Sequence, residues 1–546
     1  MKKVVLMLIA SIFLSYAPAT VWGVAALPNR YAVIAWNDLG MHCMDRDYSV
    51  FSLLPPYNNL HAQLVDRLTG KLVSSRTALT YEATADTNAS INTTSYAKTN
   101  FWDWVLPIYG SNPAPDIGLL GNPVQSGTPA AMTYASGQSY WKAEGIPTVP
   151  YDDNGNTNCY PMVSVVSKDL KGRSMASTKT VLPVSDEMNC SFCHSSGVGD
   201  PAAMPSPDWV YDSNPDKDWR RNILLLHDNR NAANQVYADA LAGNGYNSAG
   251  LLVTSDSGNP ILCANCHASN ALSKPGFAGV KQLTTAVHTW HGQYAMDDST
   301  GMPLDLTTDR SACYYCHPGS TTQCLRGVMG KAVDPATGDL LLQCQSCHGI
   351  MSKVGADGRR GWIDLPSCQN CHYLSDSTGS YVRDTSVFDS SGNFRQVTSI
   401  FSTGAGLYKL SAGHKAVQCE ACHGSTHAEY PTSEPNDNVQ STLLQGYQGT
   451  VRECSACHLA SIPLTGNKGP HGLHTIGQLW VFAHARDAKR NPQYCTTCHG
   501  NDYKGTFLSK IVTDRKFYTL GAKKKIYSQG DLVSCYDCHK NVPNGR

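Results

Sequence analysis

The sequence predicts an N-terminal β-rich, sandwich-like domain over residues 27–185, followed by a loop-rich, sparsely helical domain over residues 186–546. Three observations predict this. The 546-residue chain is too long for one compact core. Before residue 185, short apolar runs alternate with Asn, Gly, Pro and Ser turns, the pattern of antiparallel strands. After it, the pattern C-x-x-C-H, absent from the first part, recurs nine times.

The chain starts with Lys2 and Lys3, then an apolar run from Val4 to Leu14, then small residues at Gly23, Ala25 and Ala26. That is the layout of an export signal over residues 1–26. A transmembrane anchor is the alternative, but the run falls short of the roughly 18 apolar residues a span needs. No later segment is expected to span a bilayer. No cysteine lies near the cleavage region, so lipid attachment there is not expected. The mature chain is expected to be exported, to the periplasm, the outer surface or the extracellular space, where cysteines meet oxidising conditions. Its 43 basic and 43 acidic residues cancel, which gives no support to nucleic-acid binding. Hydrophobic residues make up 41% and Phe numbers only 11, a lean composition for this length.

Within the first part, Tyr31–Trp36 and His61–Val65 read as strands, and Thr69-Gly70 as a turn into Lys71–Val73. Met162–Val166 and Thr178–Val184 read as two more around Lys171-Gly172. In the second part, Asn222–Leu226 and Gln235–Leu241 read as helical.

C-x-x-C-H is the attachment signature of c-type haem: two thiols add to the vinyl groups, and the adjacent histidine reaches the iron from the proximal side. The cysteine pairs are Cys190/Cys193, Cys263/Cys266, Cys313/Cys316, Cys344/Cys347, Cys368/Cys371, Cys419/Cys422, Cys454/Cys457, Cys495/Cys498 and Cys535/Cys538. The proximal histidines are His194, His267, His317, His348, His372, His423, His458, His499 and His539. Zinc can use C-x-x-C pairs, but nine copies each followed by His favour a cytochrome c domain organised around nine c-type haems. Each haem brings two propionates, so the loaded protein would be acidic. The proximal histidines lie 24 residues apart at the closest (His348 to His372) and 73 at the widest (His194 to His267), too irregular for a solenoid.

Of 19 histidines, ten remain. His42, His227, His288, His291, His414, His427, His471, His474 and His484 are candidate distal ligands, near the number needed for bis-histidine irons with no open site. His61, inside a strand, reads as structural. His423 and His427, four apart, would share one face of a helix, too close to sandwich one iron, so His427 would serve a neighbouring haem.

Cys43, Cys159 and Cys324 lie outside the motifs. A Cys43–Cys159 disulfide is the preferred pairing, with Cys324 a buried thiol, although either could pair with Cys324. The Asp38–Asp45 segment, with His42, Cys43, Met41 and Met44, is a weak copper-like candidate beside the distal-ligand and disulfide readings. Asp152-Asp153-Asn154-Gly155-Asn156 resembles a calcium loop but has Val163 where the bidentate Glu belongs, so a polar turn is expected.

Trp36–Cys43, Cys316–Gly319 with Gln323–Gly327, Gly413–His427 and Gly469–His474 together resemble multihaem c-type cytochromes of dissimilatory metal-reducing bacteria. The resemblance implies respiratory electron transfer toward other redox proteins or extracellular electron acceptors such as metal oxides. Some relatives polymerise into extracellular filaments, which would imply self-association and would gain weight if His42 were lent across a subunit interface. A rival expectation is a multihaem reductase or oxidase of a small nitrogen or sulfur compound with one open iron. The C-x-x-C-K motif of multihaem nitrite reductases is absent from the sequence. The β-rich domain would serve as a docking or assembly module in either case.

Overall fold

The computed structural model describes residues 30–540 except 198–199, 320, 360–365, 375–380, 396–406, 460–473, 475–476, 491, 507–508, 512–513, 520, 522 and 529. The export signal and His471 lie outside the described residues.

Among the described residues the first part carries twelve strands: β1 (Tyr31–Trp36), β2 (His42–Cys43), β3 (Phe51–Ser52), β4 (Asn58–Asp66), β5 (Lys71–Leu72), β6 (Thr77–Thr84), β7 (Ala130–Ala131), β8 (Thr133–Ala135), β9 (Tyr140–Ile146), β10 (Met162–Asp169), β11 (Ser174–Val181) and β12 (Val184–Ser185). One antiparallel sheet runs β1-β4-β9-β8, with β5 beside β4; the other runs β11-β10-β6-β7. Alternating residues of both sheets meet in one core: Val33, Ala35, Leu60 and Leu64 from the first, Leu79, Tyr81, Val163 and Val165 from the second. The β10–β11 reversal needs Gly172, at φ +77°, and Asp169 accepts the backbone N–H groups of Lys171 and Arg173 around it.

Strand β1 explains why Tyr31–Trp36 reads as unbroken apolar sequence. Val33 and Ala35 face the core between the sheets. Ile34 and Trp36 face the other way, onto Val65 and Tyr140 and onto Ala421 of the second part. A strand buried on both faces has no polar alternation to show. Truncating Trp36, 1% exposed, to Ala would cost about 3–5 kcal/mol.

The second part is loop-rich. Its longer helices are Pro215–Asn231, Gln235–Gly243 and Leu283–Tyr294, of which the first two contain the segments expected to be helical. Asn214 caps the first by accepting the N–H of Asp216, with Pro215 opening the helix and acidic residues in its first turn. Side chains bridge the two parts: the Gln440 amide accepts the N–H of Ala35 at 2.7 Å and donates to its carbonyl at 2.8 Å, and Gln63 donates to Ala416 O at 2.8 Å. A buried, two-pronged ion pair of Arg326 with Asp437 fixes the loop after the third motif.

The expected Cys43–Cys159 disulfide is not formed; all three non-motif cysteines are free. Strand β12 stands between them. His42 and Met44 donate to Pro183 and Ser185 on one side of it, and Val184 donates to Cys159 on the other. Two strand spacings of about 4.8 Å exceed the roughly 7 Å Cα separation a disulfide tolerates. Alkylating the denatured, unreduced protein should therefore label three thiols by mass spectrometry; a single label would mean that one pair had oxidised.

Candidate haem cleft

Each motif folds as about one helical turn, such as Ser191–His194, Cys263–Cys266, Cys344–His348 and Cys419–His423, or as a short 3-10 turn at Cys368–Asn370, Cys454–Ala456 and Cys535–Asp537. The histidine N–H donates to the carbonyl of the first cysteine at His194, His267, His317, His458 and His539, at 2.8–3.1 Å. Positions i, i+3 and i+4 thereby share one face. All eighteen motif cysteines are free, and with all nine motif histidines they line one continuous cleft of about 4170 Å³.

Seven of the candidate distal histidines face a motif histidine across this cleft: His291 faces His194, His227 faces His267, His288 faces His317, and His427 faces His348. Further on, His414 faces His458, His474 faces His499, and His484 faces His539. Ring centres are 5.6–6.4 Å apart. Two imidazoles holding one metal from opposite sides need about 6 Å, at about 2 Å per metal–nitrogen bond. Among the described residues no group of three or more His, Cys, Asp or Glu could hold a metal ion, so these imidazoles meet as pairs.

The ring nitrogens fit haem iron. Nδ1 of His267, His288, His291, His484 and His499 each lies 2.7–2.9 Å from a backbone carbonyl, of Lys281, Thr284, Val287, Val481 and Val533. Such a bond places the proton on Nδ1 and leaves the Nε2 lone pair for a metal. Burial, and after it the facing imidazole, pushes His194, His227 and His317 down to about 4 and His348 to about 3, which holds the rings neutral as ligation requires.

Local structure differs from expectation at His427. Gly424, at φ +94°, ends the motif helix at His423, and the chain turns through a hairpin pairing Gly424–Ser425 with Ala428–Glu429. His427 sits on that hairpin turn, not on the helix face expected of it, and faces a different motif from His423.

His42 is a correction. It is 1% exposed on β2, its ring nitrogen bonds Pro55 O at 2.8 Å, and its ring packs on Tyr57 with centres 3.9 Å apart. It does not line the cleft, and its burial removes it from any subunit surface. His61 is structural as expected, stacked on Tyr140 at 4.4 Å beside Trp36. Close approach also required a glycine that sequence reasoning passed over: a Cβ on Gly70, at φ +64°, would stand 2.3 Å from Cε1 of His458. The Asp152 segment is a polar turn, with Asp152 accepting the N–H groups of Asn154 and Asn156.

The family model described as cytochrome c554 and c-prime matches residues 262–349, which hold the second, third and fourth motifs and both histidines of the Leu283–Tyr294 helix. The match supports a c-type cytochrome with c-type haem. Cytochrome c families are typically exported. No curated protein and no solved structure matches the chain. Among the described residues no helix is long and apolar enough to cross a membrane.

Among the described residues neither ring nitrogen of His61 has a hydrogen-bond partner; burial, with the nearby Lys142 and Lys409, lowers its pKa from 6.5, and Asp38 and Glu144 pull it back up without cancelling the effect. A lowered histidine pKa stabilises the fold above about pH 6.5, and that stability is lost as pH falls below it. Thermal melts at pH 7.5 and 5.5 should show His61→Phe losing less stability on acidification than the parent.

Proposed function

We propose that the protein is a nine-haem c-type cytochrome that carries electrons along closely packed bis-histidine haems in periplasmic, outer-surface or extracellular respiration. The observation that carries this reading is the gathering of all nine motifs in one cleft with imidazoles facing in pairs. Bound there, each haem would supply a low-spin iron that gains and loses one electron.

The chain's own thiols suggest an order. The first and second motifs pack on one apolar cluster through Cys190, Cys263 and Cys266. Cys316 is within electrostatic reach of Cys193, Cys344 of Cys313, Cys347 of Cys371, and Cys368 of Cys419. Cys422 is within reach of Cys457, and Cys495 of Cys535, while Arg452, beside the seventh motif, reaches Cys498 of the eighth. The motifs would thus follow one another as 2-1-3-4-5-6-7-8-9, a single file that ends at the second and ninth motifs. Other redox proteins or extracellular acceptors would meet such ends, and the β-rich domain would dock or assemble the carrier.

A second reading, a reductase or oxidase of a small nitrogen or sulfur compound, is favoured by a count. With His42 and His61 engaged elsewhere, eight non-motif histidines serve nine motif histidines. One iron would then take a sixth ligand other than a histidine of this chain, or stay open.

Electron paramagnetic resonance of the ferric protein, with optical spectra of the reduced protein under carbon monoxide, tests both. A pyridine haemochrome assay should return nine haems per chain, and fewer would sink the nine-haem reading. Nine low-spin irons without carbon monoxide binding leave the carrier alone standing. One high-spin iron that binds carbon monoxide supports the enzyme reading.

A further inference from the structure

The eighteen motif cysteines have a role in attachment; Cys324 does not, yet it lies against the cleft. Its Sγ is 3.4 Å from Nδ1 of His427. Backbone bonds hold the contact from both sides. Gln323, at φ +41°, turns the loop so that Cys324 N donates to Pro318 O. Arg326 and Gly327 donate to His427 O at 2.9 and 2.7 Å, and His427 N donates to Glu429 at 3.0 Å. The Gly40-Met41 turn closes the third side: a Cβ on Gly40 would stand 2.9 Å from Thr426 O. Five other cleft imidazoles set their Nδ1 against backbone carbonyls, whereas among the described residues Nδ1 of His194 and of His227 is buried without a hydrogen-bond partner. His427 is the cleft imidazole whose described Nδ1 partner is sulfur.

We propose that Cys324 is a positioning residue: its sulfur accepts the Nδ1–H of His427, orients that ring and tunes the potential of the haem held between His348 and His427. The inference rests on the bis-histidine reading above. With Nε2 on iron, Nδ1 carries the proton, and an acceptor there makes the ring more electron-rich and favours the ferric state. The Gly40-Met41 turn of the β domain packs on the His427 hairpin, where a Cβ on Gly40 would stand 3.5 Å from His427 Nδ1, so a partner docking on that domain would act on this one haem.

The experiment uses the full-length holoprotein with Cys324→Ala, Cys324→Ser and His427→Ala, each checked for haem content, in redox titrations followed by electron paramagnetic resonance. In Cys324→Ala one low-spin signal should change its g-values and its reduction step should move to higher potential, the rest staying put. Cys324→Ser, which keeps an acceptor, should shift the same signal by less. If Cys324→Ala does not load fully, the single-signal change in Cys324→Ser decides alone. Unchanged spectra and steps in either loaded variant, or equal shifts in Ala and Ser, overturn the inference. His427→Ala separates it from the reading beneath: one new high-spin iron upholds His427 as ligand, whereas nine low-spin irons overturn ligation by His427, and this inference with it.

Discussion

Two imidazoles facing one another across about 6 Å cannot satisfy each other. The gap is too wide for a hydrogen bond and too narrow for a side chain to enter between the rings. Seven such pairs line the cleft, each joining a motif turn to a ring brought from elsewhere in the chain. The loop-rich architecture of the second part follows from them. Loops there are held at fixed points around the cleft, so the chain needs little secondary structure of its own and few large apolar side chains. Apolar planar groups within the cleft would do the work of a core.

The hydrogen bonds behind the rings are uneven. Five Nδ1 atoms meet a backbone carbonyl, His427 meets sulfur, and among the described residues Nδ1 of His194 and of His227 has no hydrogen-bond partner. Chemically identical ligands are thereby set in different second environments, which is how one repeated motif can yield sites that are not equivalent.

The motif cysteines and histidines stand out in the sequence, because their spacing is local and one helical turn expresses it. So was β1, whose apolar run matches its double burial, and so were the cores of β4, β10 and β11. Strands β6 and β9 and the helix Phe101–Tyr109 were not read, although Leu79–Thr84 and Trp141–Glu144 alternate apolar and polar residues as a half-buried strand does. What stayed illegible was tertiary. His42 and His427 look alike as isolated histidines, and only the Pro55 carbonyl on one side and the Gly424 hairpin on the other separate their fates. The Cys43–Cys159 pairing failed for a similar reason: the strand that intervenes, Val184–Ser185, follows both cysteines in the chain. The stretch matched by the cytochrome c554 and c-prime family covers three motifs and leaves the β-rich part without a counterpart.

Gln440 completes the backbone bonding of Ala35 from 405 positions further along the chain. Contacts so remote are slow to form, because the loop-closure entropy must be met before the contact rewards it. Made from its N-terminus, the chain presents β1 long before Gln440 and Ala421 exist to cover it. Until then Ile34 and Trp36 form an adhesive surface on a nascent domain. The last third of the chain is therefore also the lid that makes the first third safe from aggregation, and a chain stalled before residue 440 would be a hazard in its own right.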